Sequence, residues 1–150
     1  VSIGTDGAPC NNRMSLIDEM WLTALIHKGR LNDPTIMPTE TILSMVTNEG
    51  AKAVLWDDEI GSLEVGKKAD LIVINPQTSN MLPLHDPIAN MVSAMKTDNI
   101  ESTMVDGVWL MRDREILCVD EDAILQEAQE RADAIRQRGG VVLPDRFNVI

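Results

Sequence analysis

The sequence predicts an α/β chain, and three observations carry that reading. An apolar stub, Val1 to Ile3, leads through loops into two amphipathic segments. A β-branched run, Leu71-Ile72-Val73-Ile74, stands behind a glycine-bounded turn, and apolar residues flank Asp106-Gly107 on both sides. Strand, loop, helix, loop, helix, followed by strand and hairpin, alternates the two hydrophobic periods as α/β proteins do.

Val1, Ser2 and Ile3 read as the last residues of a strand. Ser15-Leu16-Ile17-Asp18 has capping-box spacing, and Met14, Ile17, Trp21, Ala24 and Leu25 recur at helical intervals, so residues 15–28 are expected to form a helix stopped by Gly29. Arg30 to Met37 is a loop. Pro38-Thr39-Glu40 then opens a second helix running to about Leu55, with Ile42, Val46, Ala53 and Val54 near one stripe and Gly50 as its weak or closely packed point. Ala69 to Asn75 reads as a buried strand, because its core is short and β-branched. Asp86-Pro87 opens a short helical pattern over Ile88 to Met95, packing through Met91, Val92 and Met95. Asp106-Gly107 suits the positive φ angles of a type I′ hairpin turn. From Asp120 a last helix runs to about Arg138, acidic at its start, basic at its end and followed by Gly139-Gly140. The tail from Val141 to Ile150 has no clear period.

Composition excludes several classes. The 150 residues are the size of one domain, and 44% hydrophobic content can fill a core. A net charge of −11 repels polyanions, and 3% aromatic residues offer no stacking platform, so nucleic acid is not an expected partner. No apolar run approaches the roughly 20 residues of a membrane span, and no membrane partner is expected. Cys10 and Cys118 form no CxxC pair; they read as reduced thiols of a cytoplasmic protein. The chain opens on Val1 without an initiator methionine and is expected to be a piece of something longer.

One stretch carries chemistry. In SIGTDGAPCNN, residues 2–12, Gly4 and Gly7 flank Asp6, which lets a carboxylate stand at a strand end. Asp6 reads either as a turn residue accepting backbone hydrogen bonds or as a metal ligand and general base. Asn11 and Asn12 read as helix-capping residues or as substrate contacts beside it. Cys10 has no neighbouring base and reads as a small filler; His27 and His85 are too far apart to signal a site. His27 reads as helix-end surface, His85 as a hydrogen-bonded loop residue, and the methionines as core filler.

The motifs GTDGAPCNN, EIGSLEVGKKADLIVIN and VDGVWLMRD, in this order, resemble the C-terminal third of the amidohydrolase superfamily. The branch is that of the methylthioadenosine/S-adenosylhomocysteine, guanine and cytosine deaminases and the chlorotriazine hydrolases. The third motif departs from the family pattern at Met111 to Asp113. The resemblance implies the end of a (β/α)8 metal-dependent hydrolase barrel over residues 1–56, part of a small β-sandwich over 57–118, and a C-terminal helix and tail over 119–150. It implies a divalent metal, zinc or iron, with Asp6 as both ligand and proton acceptor when metal-bound hydroxide attacks a purine-like or related heterocycle. A glutamate elsewhere would protonate the ring and leaving ammonia. The histidine ligands the family carries on barrel strands one, five and six lie outside this sequence, so the 150 residues alone are expected to be inactive. The expected partner is a small heterocyclic substrate, and a homo-oligomer fits the reading. Two alternatives stay open: a non-catalytic structural or assembly module, and a sister hydrolase removing chloride or another amine from a triazine-like ring.

Overall fold

The computed structural model describes residues 1–142. The tail read from the sequence as irregular lies, from residue 143 onward, outside the described residues. The chain divides into two units, Val1–Glu115 and Ile116 onward. In the first, helix α1 (Leu16–Leu31), α2 (Thr39–Val46), α3 (Asn48–Ala53), strand β1 (Leu71–Ile74), α4 (Pro87–Ser93), β2 (Ile100–Val105) and β3 (Val108–Arg112) follow one another. A short β4 (Glu115–Ile116) completes the sheet in the order β1-β2-β3-β4, and α5 (Glu121–Arg138) follows.

Helix α1 starts where its cap predicts: the Asp18 N–H donates to the Ser15 hydroxyl at 3.3 Å. It does not stop at Gly29. The helix runs two residues further and closes on Asn32, whose φ of 49° turns the chain left-handed and aims its N–H at the Gly29 and Lys28 carbonyls. Asn tolerates that conformation, so Gly29 remains an interior residue. The single helix expected over 38–55 is broken in two at Thr47, not weakened at Gly50. The Thr47 hydroxyl donates to the Leu43 carbonyl at 2.8 Å, and Thr47 itself leaves the helical region (φ −116°, ψ −97°). A threonine that bonds back one turn competes with the helix ladder and bends it.

Val1 to Ile3 form no strand. The Ile3 N–H bonds the Met45 carbonyl of α2 at 3.3 Å, a helix contact rather than a ladder. Strand β1 pairs antiparallel with β2, and β2 with β3. The sequence reads β1 as buried, yet Ile72 is 47% exposed and Val73 also faces out; Leu71 and Ile74 are the half-buried pair. A β-branched run identifies a strand without saying how many of its faces are covered. Between β2 and β3, Asp106 and Gly107 have φ of 50° and 79°, the double positive angle of the type I′ turn. The turn is tied to the segment before β1: Asp106 N–H donates to the Asp70 carboxylate at 2.6 Å, and Gly107 N–H to the Ala69 carbonyl at 3.1 Å.

The core gathers Ile17, Met20, Ile42, Met81, Val92 and Met95, with Ile3, Ala24, Val46, Met91 and Ile100 against it. Met20, Met81, Met91 and Met95 fill the core as read and the α4 contacts hold, but Met14 is 53% exposed and precedes α1 instead of packing from it. Asp86 caps α4 through Ile88 and Ala89 N–H groups, both at 3.0 Å. The face of α1 differs: Ile17 and Met20 are buried, whereas Trp21 is 41% exposed and Leu25 is exposed too. On α2 and α3 the buried residues are Ile42 and Ala51, while Val54 is exposed, because the break at Thr47 rotates the stripe. Ala51 is closed over by Gly61, where a Cβ would stand 2.6 Å from that of Ala51. Helix α5 follows its Asp120 cap, which accepts the Ala123 N–H at 3.0 Å, and none of its side chains is buried. Among the described residues, no helix is long and apolar enough to cross a membrane.

Two outcomes follow from this architecture. A Cβ at Gly107 meets nothing within 4 Å, so Gly107→Val introduces backbone strain alone and should cost about 1–2 kcal/mol in thermal or denaturant unfolding. An unchanged melting temperature would contradict the turn. In the loop after α1, the Thr35 hydroxyl and N–H both donate to Asp33 Oδ1, at 2.6 and 2.8 Å, and hold the Asp33 pKa below the ordinary carboxylate value. The stabilisation is present above the unfolded-state pKa and is lost as pH falls through the lowered folded-state value. Thr35→Val removes the larger cause, so the carboxyl should titrate at higher pH in an NMR titration.

Candidate active site

The loop from Gly4 to Met14 carries the residues singled out in the sequence. Asp6 is exposed, and the backbone freedom sits on it rather than on its glycines: its φ is 59°, whereas neither Gly4 nor Gly7 has a positive φ. Aspartate visits this region more readily than most residues, because its short polar side chain bonds locally. Here the Gly7 N–H donates to Asp6 Oδ1 at 2.6 Å, and the Thr5 hydroxyl donates to the Asp6 carbonyl at 3.1 Å. The carboxylate is thereby held against its own backbone and turned outward.

After Asp6 the chain makes a tight turn, in which the Cys10 and Asn11 N–H groups both reach the Gly7 carbonyl at 2.9 Å. Asn11 then joins the loop to α1. Its Oδ1 accepts the Arg13 N–H at 3.0 Å, and its Nδ2 donates to Glu19 Oε1 at 2.6 Å. Arg13 Nε donates to Asp18 Oδ2 at 2.9 Å. Asn12 is exposed. Asp6, Asn11 and Asn12 therefore share one short loop, and the hydrogen bonds of Asn11 fasten that loop to the first turns of α1.

The other residues considered lie elsewhere. Cys10 is exposed rather than a packed filler, since the turn at Gly7 carries it to the surface; Cys118 is exposed too. His27 is exposed on α1, and His85 is exposed in the loop before Asp86. Glu19 is the residue that sequence reading passes over. Its signal is weak but physical: a carboxylate one turn into a helix whose preceding loop carries two asparagines can reach back to them.

Metal ions need several donors converging on one point, commonly three or four protein side chains. Among the described residues, no group of three His, Cys, Asp or Glu side chains could hold one. The residues present do not make a metal centre, and Asp6 offers a single carboxylate.

Residues 1–110 match the model of the amidohydrolase family. The chain is 37% identical over 135 residues to the 5-methylthioadenosine/S-adenosylhomocysteine deaminase of Acetivibrio thermocellus, covering 90% of this chain and 31% of the relative. It is 38% identical over 138 residues to the 5'-deoxyadenosine deaminase of Methanosarcina barkeri, covering 92% and 32%. The chain thus spans about a third of the length of the curated relatives it matches. Among solved structures, an adenosine deaminase from Xanthomonas campestris with bound zinc superposes with a TM-score of 0.87 at 32% identity, over 91% of this chain and 31% of that one. The atrazine chlorohydrolase of Arthrobacter aurescens shares the fold, with a TM-score of 0.74 at 23% identity over 83% and 28%. A family model covering most of the chain, and relatives matching it nearly end to end, show that this chain belongs to the amidohydrolase family.

Proposed function

We propose that this chain is the C-terminal part of a metal-dependent hydrolase that deaminates a purine-like heterocycle, adenosine-type nucleosides being the first class to test. The observation that carries the reading is the identity of 37% and 38% to proteins named as deaminases of adenosine-type compounds, over nine-tenths of the chain. The likeness to the chlorohydrolase, at 23%, supports a common fold and no common leaving group. On this reading residues 1–56 hold the last strand position and helices of a barrel, 57–118 belong to a small β-sandwich, and 119–150 form the C-terminal helix and tail.

Hydrolytic deamination adds water at the ring carbon bearing the amino group and expels ammonia, so a proton must leave the attacking water and another must reach the leaving nitrogen. Asp6 is proposed to take the first of these. Its Oδ1 is fixed by the Gly7 N–H, which orients the carboxylate at an exposed position. Asn12, and the Nδ2 hydrogen of Asn11 not given to Glu19, are proposed to face the substrate beside it. The complete enzyme is proposed to use a divalent metal, zinc or iron, toward which Asp6 is this chain's ligand.

Two measurements test the proposal. In the full-length protein, Asp6→Asn should lower ammonia release from 5-methylthioadenosine by at least about a hundredfold, the scale of lost general-base catalysis; full activity would overturn the assignment. Calorimetry on residues 1–150 alone should show no tight stoichiometric zinc binding, and Asp6→Asn should change nothing, because one carboxylate does not bind zinc tightly. Tight binding lost on that substitution would mean that the site is built from this chain.

A further inference from the structure

We infer that Glu19 is a positioning residue for the Asp6 loop, acting through Asn11. The inference rests on the proposed role of Asp6 in hydrolysis. It starts from a linear set of contacts. Glu19 Oε1 accepts the Asn11 Nδ2 hydrogen at 2.6 Å across eight residues, and that bond is partly buried. The backbone N–H of the same Asn11 bonds the Gly7 carbonyl at 2.9 Å, and the Gly7 N–H bonds the Asp6 carboxylate at 2.6 Å.

Glu19 is carried by α1, whose neighbouring residues Ile17 and Met20 are in the core. A rigid element therefore reaches the loop through one charge-assisted hydrogen bond, which is shorter and stronger than a neutral one. The need for such a bond is visible in the loop itself. Asp6 and Met14 both have positive φ, and Asp6, Gly7, Ala8, Pro9 and Cys10 are all exposed, so burial does little to fix the carboxylate. The Arg13–Asp18 pair also links loop and helix, but Arg13 is 74% exposed and solvent screens that pair. Glu19 is the better-shielded anchor, and moving it should displace Asp6 without removing any group that touches substrate.

The experiment uses the full-length protein with 5-methylthioadenosine as substrate. In Glu19→Ala, kcat should fall by about tenfold, a cost in keeping with small misplacements of a reacting group, while KM stays within about twofold. The Asn11 amide should exchange its hydrogen faster, and the melting temperature should hold. Glu19→Gln keeps an Oε1 acceptor and should recover most of the lost kcat. In an Asn11→Ala background, whose own loss is larger because it also removes the Arg13 contact, Glu19→Ala should add nothing further, since the bond Glu19 makes to Asn11 is already gone. Unchanged kcat and unchanged exchange in Glu19→Ala would overturn the inference. So would a Glu19→Gln variant as impaired as Glu19→Ala, or effects of Glu19 and Asn11 that simply add. If Asp6→Asn keeps its activity, the proposed function fails instead, and the exchange rate of the Asn11 amide still decides whether Glu19 holds the loop.

Discussion

Ile42 is wholly excluded from solvent, and its burial obliges α1, α2 and α4 to meet. Burying one such side chain is worth about 1.5–3 kcal/mol, and its neighbours Ile17, Met20, Met81, Val92 and Met95 are buried with it. Three of those five are methionines, whose unbranched side chains fill the irregular space where three helices cross. The Asp6 loop inherits its position from this junction. It is fastened to α1, and Ile3, just before it, is fastened to α2 and packs on the same cluster. The site is thus supported by the core without containing any of it.

Buried polarity does the corresponding work where the sheet meets α4. Asn99 is nearly inaccessible, and both ends of its amide are engaged. Its Oδ1 accepts from the Lys96 N–H and Asn80 Nδ2, both at 2.8 Å, and its Nδ2 donates to the Thr78 hydroxyl at 2.8 Å. Its carbonyl takes the Asn75 N–H at 2.8 Å. An unsatisfied amide there would cost about 1–3 kcal/mol, so the network fixes how the chain leaves β1 and enters β2. The ammonium of Lys67 is organised in the same manner, donating to the Asp57 carbonyl at 2.6 Å and the Ser62 hydroxyl at 2.9 Å, and it shapes the glycine-bounded turn ahead of β1.

Local chemistry was the legible part of this fold. Ser15, Asp86 and Asp120 mark helix starts because a cap acts within three residues, and Asp106-Gly107 marks its turn because two adjacent φ angles suffice. Features decided at a distance were not legible. The exposure of Trp21 and Ile72 depends on what packs against each face, and even the Thr47 break, made by a hydroxyl bonding one turn back, follows from no residue-type rule because most helical threonines do not break their helix. The candidate site divides likewise. Glycines drew attention to Asp6, but they pointed to the wrong backbone: the left-handed residue is Asp6 itself. The anchor at Glu19 depends on a contact across eight residues that no spacing rule announces.

Helix α5 is 18 residues long with no buried side chain among the described residues, and its visible support is a set of bonds along its own surface. Gln126–Glu130, Gln129–Asp133 and Arg131–Glu127 are bonded one turn apart, Glu121 and Asp122 sit in the first turn, and Arg136 and Arg138 in the last. Each such pair contributes only about 0.2–0.5 kcal/mol and weakens as salt screens it. The surface bonds of this helix therefore answer to electrolyte, whereas the junction at Ile42 answers to volume and shape.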